Sequence, residues 1–193
     1  MKTIMTQVRL TLVLLILCSC AFPAFIWALG MTAFPNQAEG SLERRSDGTV
    51  VGSRLLGQQF SSPQYFHGRP SAVGYNTAGS GGSNYSATNP SMLRRISDAV
   101  TSASQLDGLT TSAITGDRIF ASGSGLDPDV TPENARQQIA RVARERGLPR
   151  ATLEALVEQE ARHPVLGPGR VNVLELNSKL DALMVDTACS AKR

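Results

Sequence analysis

Hydrophobic and polar positions divide this chain sharply. No charged residue lies between Arg9 and Glu39, and Leu12-Val13-Leu14-Leu15-Ile16-Leu17 is uninterrupted aliphatic. A helix needs about 20 mostly apolar residues to cross a hydrocarbon core about 30 Å thick. Residues 10–34 are therefore expected to form a transmembrane helix carrying Leu10, Leu14, Leu17, Pro23, Trp27 and Phe34. Pro23 is tolerable inside a membrane helix. Phe22, Phe25, Trp27 and Phe34 gather at the far end, where an aromatic belt meets lipid headgroups. Two other readings compete. A cleaved secretory signal has an apolar core of about 7–15 residues, shorter than this one, although Ala28-Leu29-Gly30 could serve as its exit site. Leu17-Cys18-Ser19-Cys20 loosely resembles a lipobox, which would leave an exported lipoprotein acylated at Cys20.

Beyond the apolar run the pattern becomes that of a globular domain. Asp47-Gly48 between two short alternating segments predicts a hairpin. Residues 58–90 hold Pro63, Pro70, Pro90 and many Gly, Ser and Asn, and show no period. Long loops of this kind are functional or disordered. Tyr65, Phe66, Tyr75 and Tyr85 predict an ordered one, pinned by packing. Asn89-Pro90 opens a helix whose inward stripe is Met92, Leu93, Ile96, Ala99, Val100 and Ala103. Ile119-Phe120-Ala121 reads as a strand. Thr131-Pro132 opens a second helix with Ala135, Ile139, Val142 and Ala143 inward, and Gly147 ends it. Its Arg136, Arg141, Arg144 and Arg146 read as a solvated face paired with Glu133 and Glu145. A third helix runs over 149–161 around Leu153, Leu156 and Val157. Asn172 and Glu175 cap a last one with Val173, Leu176, Leu180 and Leu183 inward. Short strands first and helices afterwards predict a mixed α+β domain over residues 35–193.

Charge sets the topology. Lys2 and Arg9 precede the span without an acid nearby, so the positive-inside rule puts residues 1–9 in the cytoplasm. The domain then lies outside. These two residues also carry most of the formal net charge of +3, leaving the domain close to neutral. Its bases alternate with acids, which argues against nucleic acid as a partner. Of the three cysteines, Cys18 and Cys20 sit in the apolar run and Cys189 stands alone, so the domain must hold together by packing or by a partner.

Candidate chemistry is sparse. His67 and His163 have no cysteine or paired carboxylate near them, so no zinc spacing and no hydrolase triad is in view. The turns at 80–84 and 122–125 are candidate backbone nests for an anion. Neither continues into Gly-Lys-Ser/Thr, so neither is a Walker loop. Asp127-x-Asp129 is too sparse for a calcium loop. The residues describe an anchored domain that binds a partner, with no catalytic site and no metal or stable cofactor of its own.

One family shares this order of blocks. Gly52-Ser53-x-Leu55-x-Gly57-Gln58-x-Phe60 is followed by Tyr65-Phe66-x-Gly68-Arg69-Pro70-Ser71-Ala72, then by Ser83-Asn84 and Asn89-Pro90. Ala121-Ser122-Gly123-Ser124-Gly125-Leu126-Asp127-Pro128 and Gln138-x-x-Arg141-Val142-Ala143-x-x-Arg146-Gly147-Leu148 come next. Val171-Asn172-Val173-Leu174-x-Leu176-Asn177 closes the series. In this order they closely resemble the C subunit of the bacterial Kdp potassium-transporting P-type ATPase. Phe34-Pro35 and Gly40-Ser41-Leu42 extend the likeness toward the span; Cys18-Ser19-Cys20 and the tail after Met184 lie outside it.

The resemblance implies a non-catalytic accessory subunit in the bacterial inner membrane, with one span and a periplasmic domain. Its implied partners are a potassium-selecting channel-like subunit, a P-type ATPase subunit and a small single-helix subunit, which between them handle K+ and ATP. It also implies a role as a catalytic chaperone that raises the pump subunit's affinity for ATP. A transient nucleotide contact would fall on Ser122, Gly123, Ser124, Gly125 and Asp127, a turn similar to the signature loop of ABC transporters. Given the long aromatic loop, Tyr65, Phe66, Gly68, Arg69, Pro70, Ser83 and Asn84 are expected to face the potassium-selecting subunit. The alternative from another class is a free-standing exported lipoprotein or secreted hydrolase, beginning at Cys20 or Met31.

Overall fold

The computed structural model describes residues 2–45 and 47–190, apart from the side chains of 185–190. Cys189 and the end of the tail therefore fall outside the described side chains. The chain forms two compact units, Met1–Leu42 and Glu43–Arg193.

The first unit is a long helix: α1 (Lys2–Ile16), a π-helical turn (Leu17–Ala21) and α2 (Phe22–Ala33). Lys2–Ala33 is long and apolar enough to cross a membrane, with mean hydropathy 2.5 over its most apolar window and none of that window buried. It begins before Leu10 because nothing in residues 3–9 breaks a helix. Pro23 has no N–H and crowds the carbonyl four residues back. The preceding turn widens to make room: the Phe22 N–H donates to the Leu17 carbonyl, five residues back. Phe34, at φ −138°, leaves the helix as residues before proline tend to, and Pro35 opens the short α3 (Pro35–Ala38).

β1 (Leu42–Arg44), whose first residue ends the first unit, and β2 (Val50–Ser53) pair around the expected turn. Gly48 takes φ +83°, and Thr49 N–H donates to the Asp47 carboxylate at 2.8 Å. After a long irregular loop comes α4 (Pro90–Asp107), with Asn89 Oδ1 accepting from the Ser91 N–H at 2.8 Å and Gly108 left-handed at its end. The short α5 (Gly116–Ile119) stands where a strand was expected. Phe120 N–H closes a helical turn on the Gly116 carbonyl at 2.8 Å, so Ile119-Phe120-Ala121 has no ladder to join.

Helices α6 (Pro132–Arg146), α7 (Arg150–Glu160) and α8 (Val173–Ser190) follow, with α6 packed on α7 and α7 on α8. β3 (Asp129–Val130) and β4 (Val171–Asn172) pair antiparallel just ahead of α6 and α8. Phe66, Ala135, Ile139, Val142, Leu153, Val157, Val171, Leu176 and Leu180 are the centre of the core. This is an α+β domain, as expected, with one strand pair placed later in the chain than the pattern indicated. Helix α4 departs from expectation too. Of its six-residue stripe only Ala103 is buried, and Leu93 is 54% exposed. It leans on α5 and α6 and contributes no residue to the central cluster.

Candidate functional site

The loop over 58–90 has almost no regular structure, yet the helices hold it as a sheet would hold a strand. Phe66 N–H donates to Asn177 Oδ1 and the Phe66 carbonyl accepts from Asn177 Nδ2, both at 2.9 Å. The next residue repeats the pattern: His67 N–H donates to Gln138 Oε1 at 2.7 Å, and its carbonyl accepts from Gln138 Nε2 at 3.0 Å. Two side-chain amides, from α8 and α6, thus satisfy backbone groups that burial would otherwise leave unpaired. Phe66 itself is fully buried in the core.

Arginines complete the clamp. Arg141, 1% exposed, donates to the carbonyls of Pro63 and Tyr65, to Gln138 Oε1 and to Asp107. Asp107 bridges two guanidinia, meeting Arg141 Nε at 2.7 Å and Arg118 Nη2 at 2.5 Å, with its own side chain fully buried. Arg146 donates to the Gln64 carbonyl, pairs with Asp181 at 2.7 Å and stacks over the Tyr65 ring at 4.6 Å. The expected solvated face is therefore divided. Arg136 and Arg144 lie outside, while Arg141 and Arg146 are structural. Asn134, Gln138 and Arg141 recur at helical spacing and are all buried, a polar stripe running beside the apolar one.

Charge states follow from this packing. Burial holds the His67 imidazole below its ordinary value, with the Arg141 and Arg118 charges acting the same way against its bond to the Ser62 carbonyl. Burial also lowers Arg118, while Asp107 opposes it. Asp129 is raised by burial and then by the neighbouring Asp127. Burial pushes Asp117 up, but bonds from Thr131, Thr115 and Asn134 outweigh it and leave the carboxyl lowered.

The turn over 122–127 is built into the same loop. Ser122 N–H donates to the Pro70 carbonyl at 3.0 Å, and Gly81 N–H to the Ser124 carbonyl at 2.8 Å. Ser71 Oγ donates to the Gly125 carbonyl at 2.7 Å, Gly57 N–H to the Leu126 carbonyl at 2.8 Å, and Arg69 pairs with Asp127 at 2.9 Å. At Gly125 a Cβ would stand 2.5 Å from Val73 and 2.8 Å from the Gly81 carbonyl, at φ +69°. A close approach of this kind demands glycine. The Gly125 amide donates back to the Ser122 carbonyl and the Leu126 amide to Ser124 Oγ. The amides of Gly123, Ser124 and Asp127 are not used by these bonds. Beside this interlock a cleft of about 400 Å³ opens between the loop and α4, lined in part by His67, Gly68, Tyr75, Leu106 and Arg118.

Comparison with known proteins decides the family. The model of the family described as "K+-transporting ATPase, c chain" (KdpC) matches residues 4–182. The chain belongs to the KdpC family. It is 40% identical to the potassium-transporting ATPase KdpC subunit 2 of Staphylococcus aureus, over 95% of this chain and all of that one. The KdpC subunit of Caulobacter vibrioides is 46% identical over 86% of each chain, and that of Gemmatimonas aurantiaca 47% over 90% and 89%.

Within this KdpC fold the residue sets expected to act separately meet. Arg69, Pro70 and Ser71 bond directly to the turn that carries Ser122, Gly123, Ser124, Gly125 and Asp127. Gly68 and Tyr65 are half-buried, Ser83 is half-buried and Asn84 is exposed. Phe66 points into the core, so its side chain is closed to any partner. Asp107 and Arg118 had gone unmarked in the sequence, and Gln138 and Asn177 had been marked only as members of shared blocks, without a role. One signal was available: Asp107 sits in the last turn of α4, where a carboxylate opposes the helix dipole and needs a cation nearby.

Proposed function

We propose that this chain is the accessory subunit of an ATP-driven potassium uptake complex, anchored in the bacterial inner membrane by Lys2–Ala33 with its N-terminus cytoplasmic. Its domain works on the outer side and supplies surface instead of chemistry, while ATP and K+ are handled by a P-type ATPase subunit and a potassium-selecting channel-like subunit. A small single-helix subunit completes the assembly. The observation that carries this reading is the interlock of residues 68–71, 80–82 and 122–127. A loop this long is costly to order, and here amides, two arginines and a fully buried aromatic hold it in one shape. A pre-ordered surface loses less entropy on docking. Tyr65, Gly68, Arg69, Pro70, Ser83 and Asn84 supply the exposed and half-exposed parts of that surface, toward the potassium-selecting subunit.

The test is recovery of partner subunits with the full chain from mild-detergent membranes. Ser83→Ala together with Asn84→Gly, which keeps the left-handed φ of +51° accessible and leaves the Arg69–Asp127 pair in place, should lower recovery of the channel-like subunit while the domain keeps its thermal transition. Undiminished recovery by that variant would count against the docking surface.

A second reading rests on the Gly123 and Ser124 amides. It assigns to the turn a transient ATP contact through Ser122, Gly123, Ser124, Gly125 and Asp127 that raises the pump subunit's affinity for nucleotide. Charge asymmetry puts the turn across the membrane from cytoplasmic ATP, which ranks this reading second. A Cβ at Gly123 meets nothing within 4 Å, so Gly123→Ala is expected to fold while crowding those amides. Its effect on the KM for ATP of the assembled complex separates the readings: a rise supports nucleotide contact, and no change supports docking alone.

A further inference from the structure

The segment between α7 and β4 leaves the domain as a short prong. Arg162 and Arg170 close its root by two backbone bonds, at 2.8 and 3.0 Å, in an isolated antiparallel bridge. At Gly169 a Cβ would stand 3.1 Å from His163 and 3.2 Å from Pro132, so the root is packed tightly on the start of α6. Pro164 and Pro168 bracket the tip, and Gly167 turns it at φ +98°. On that tip Val165 is 101% exposed and Leu166 87%. No other large hydrophobic side chain of the Glu43–Arg193 unit stands so far out among the described residues. Arg162, His163 and Arg170, all exposed, stand at its root, with Arg162 ion-paired to Glu175.

We infer that the 162–170 prong is a second docking element, inserting Val165 and Leu166 into an apolar pocket with an acidic rim on another protein subunit of the same complex. The inference rests on the reading that this chain is a complex subunit, and it concerns a surface separate from the 65–84 loop. Three features favour a protein pocket. The tip's shape is fixed by the bridge, two prolines and a left-handed glycine, and a fixed shape gains most from a fixed complement. The prolines contribute no N–H, so a dry pocket strands fewer donors. The Arg170 guanidinium, which has no ion pair among the described residues, complements an acidic rim and steers the approach. A lipid surface is the weaker occupant: a whole myristoyl chain gives only marginal membrane binding, and Val165 with Leu166 offers far fewer carbons.

The experiment places a benzophenone photo-crosslinking amino acid at position 166 of the full chain in native membranes, beside pull-downs of the unmodified chain and of Val165→Ser with Leu166→Ser. The expected result is a covalent adduct with one protein subunit, and a loss of about tenfold or more in recovered partner for the double variant. An adduct confined to lipid, or no adduct, overturns the proposal, as does undiminished recovery by the double variant. If the unmodified chain itself brings down no ATPase subunit, the subunit reading fails and the prong proposal with it. Recovery by the unmodified chain with no effect at the tip refutes the prong alone.

Discussion

Asp107 shows how much one buried carboxylate can organise. Its two oxygens pair with Arg118 and Arg141, one each, and Arg141 in turn holds the carbonyls of Pro63 and Tyr65. Removing one member of a buried ionic cluster leaves uncompensated charge, at a cost of about 3–5 kcal/mol. Asp107→Ala should therefore destabilise the domain by that amount and loosen the 58–90 loop, readable by denaturant midpoint and by proteolysis within the loop. Phe66→Ala should cost a similar 3–5 kcal/mol through its cavity, and any loss of partner recovery in that variant follows from unfolding. His67 titrates in the same neighbourhood. Its folded pKa lies below 6.5, so the unfolded chain binds the proton more readily. Stability from this group is fully present above about pH 6.5 and falls as pH drops through that value toward the folded pKa. His67→Gln should flatten the stability profile below about pH 6.5, and an unchanged slope would assign the acid loss to other groups.

At the scale of elements, loop and turn behave as one unit. Gly125→Ala would meet Val73 and the Gly81 carbonyl at a left-handed φ, which predicts destabilisation of about 1–3 kcal/mol. Gly123→Ala, whose Cβ meets nothing within 4 Å, should cost little by the same thermal measurement. That contrast between neighbouring glycines tests the interlock directly. The helices were legible because their caps are local: Asn89-Pro90, Thr131-Pro132 and the Asn172 cap of α8 all act within a few residues. The β3–β4 pair was not legible. Two-residue strands carry no readable period, and their partner lies 41 residues away or more in the chain, from Val130 to Val171. Arg141 and Arg146 were misread for a related reason. A polar residue at helical spacing is assigned to solvent unless its partners are known, and theirs lie in a loop with no pattern of its own.

For the whole molecule, the span governs everything else. If Lys2–Ala33 is retained, the intact mass of the chain isolated from membranes matches the full sequence. A mass beginning at Cys20 or Met31 would instead establish an exported, processed protein. Protease added to intact spheroplasts that make this chain without partner subunits should cut the exposed 162–170 prong only if the domain faces outward. Protection there, with cleavage in inverted vesicles, would reverse the topology and bring the 122–127 turn to the side of ATP.

The apolar run, the helix caps and the α+β composition were determined by the sequence itself, because hydrophobic length and capping chemistry act over a few residues. The family also lay in the sequence, in blocks whose order survives without any structure. Tertiary structure alone decided that Phe66 is core, that Arg141 and Asp107 are buried partners, and that the 65–84 loop and the 122–127 turn form one surface. Those outcomes depend on which distant groups satisfy each other's hydrogen bonds and charges once water is excluded, and chain proximity carries no trace of that choice.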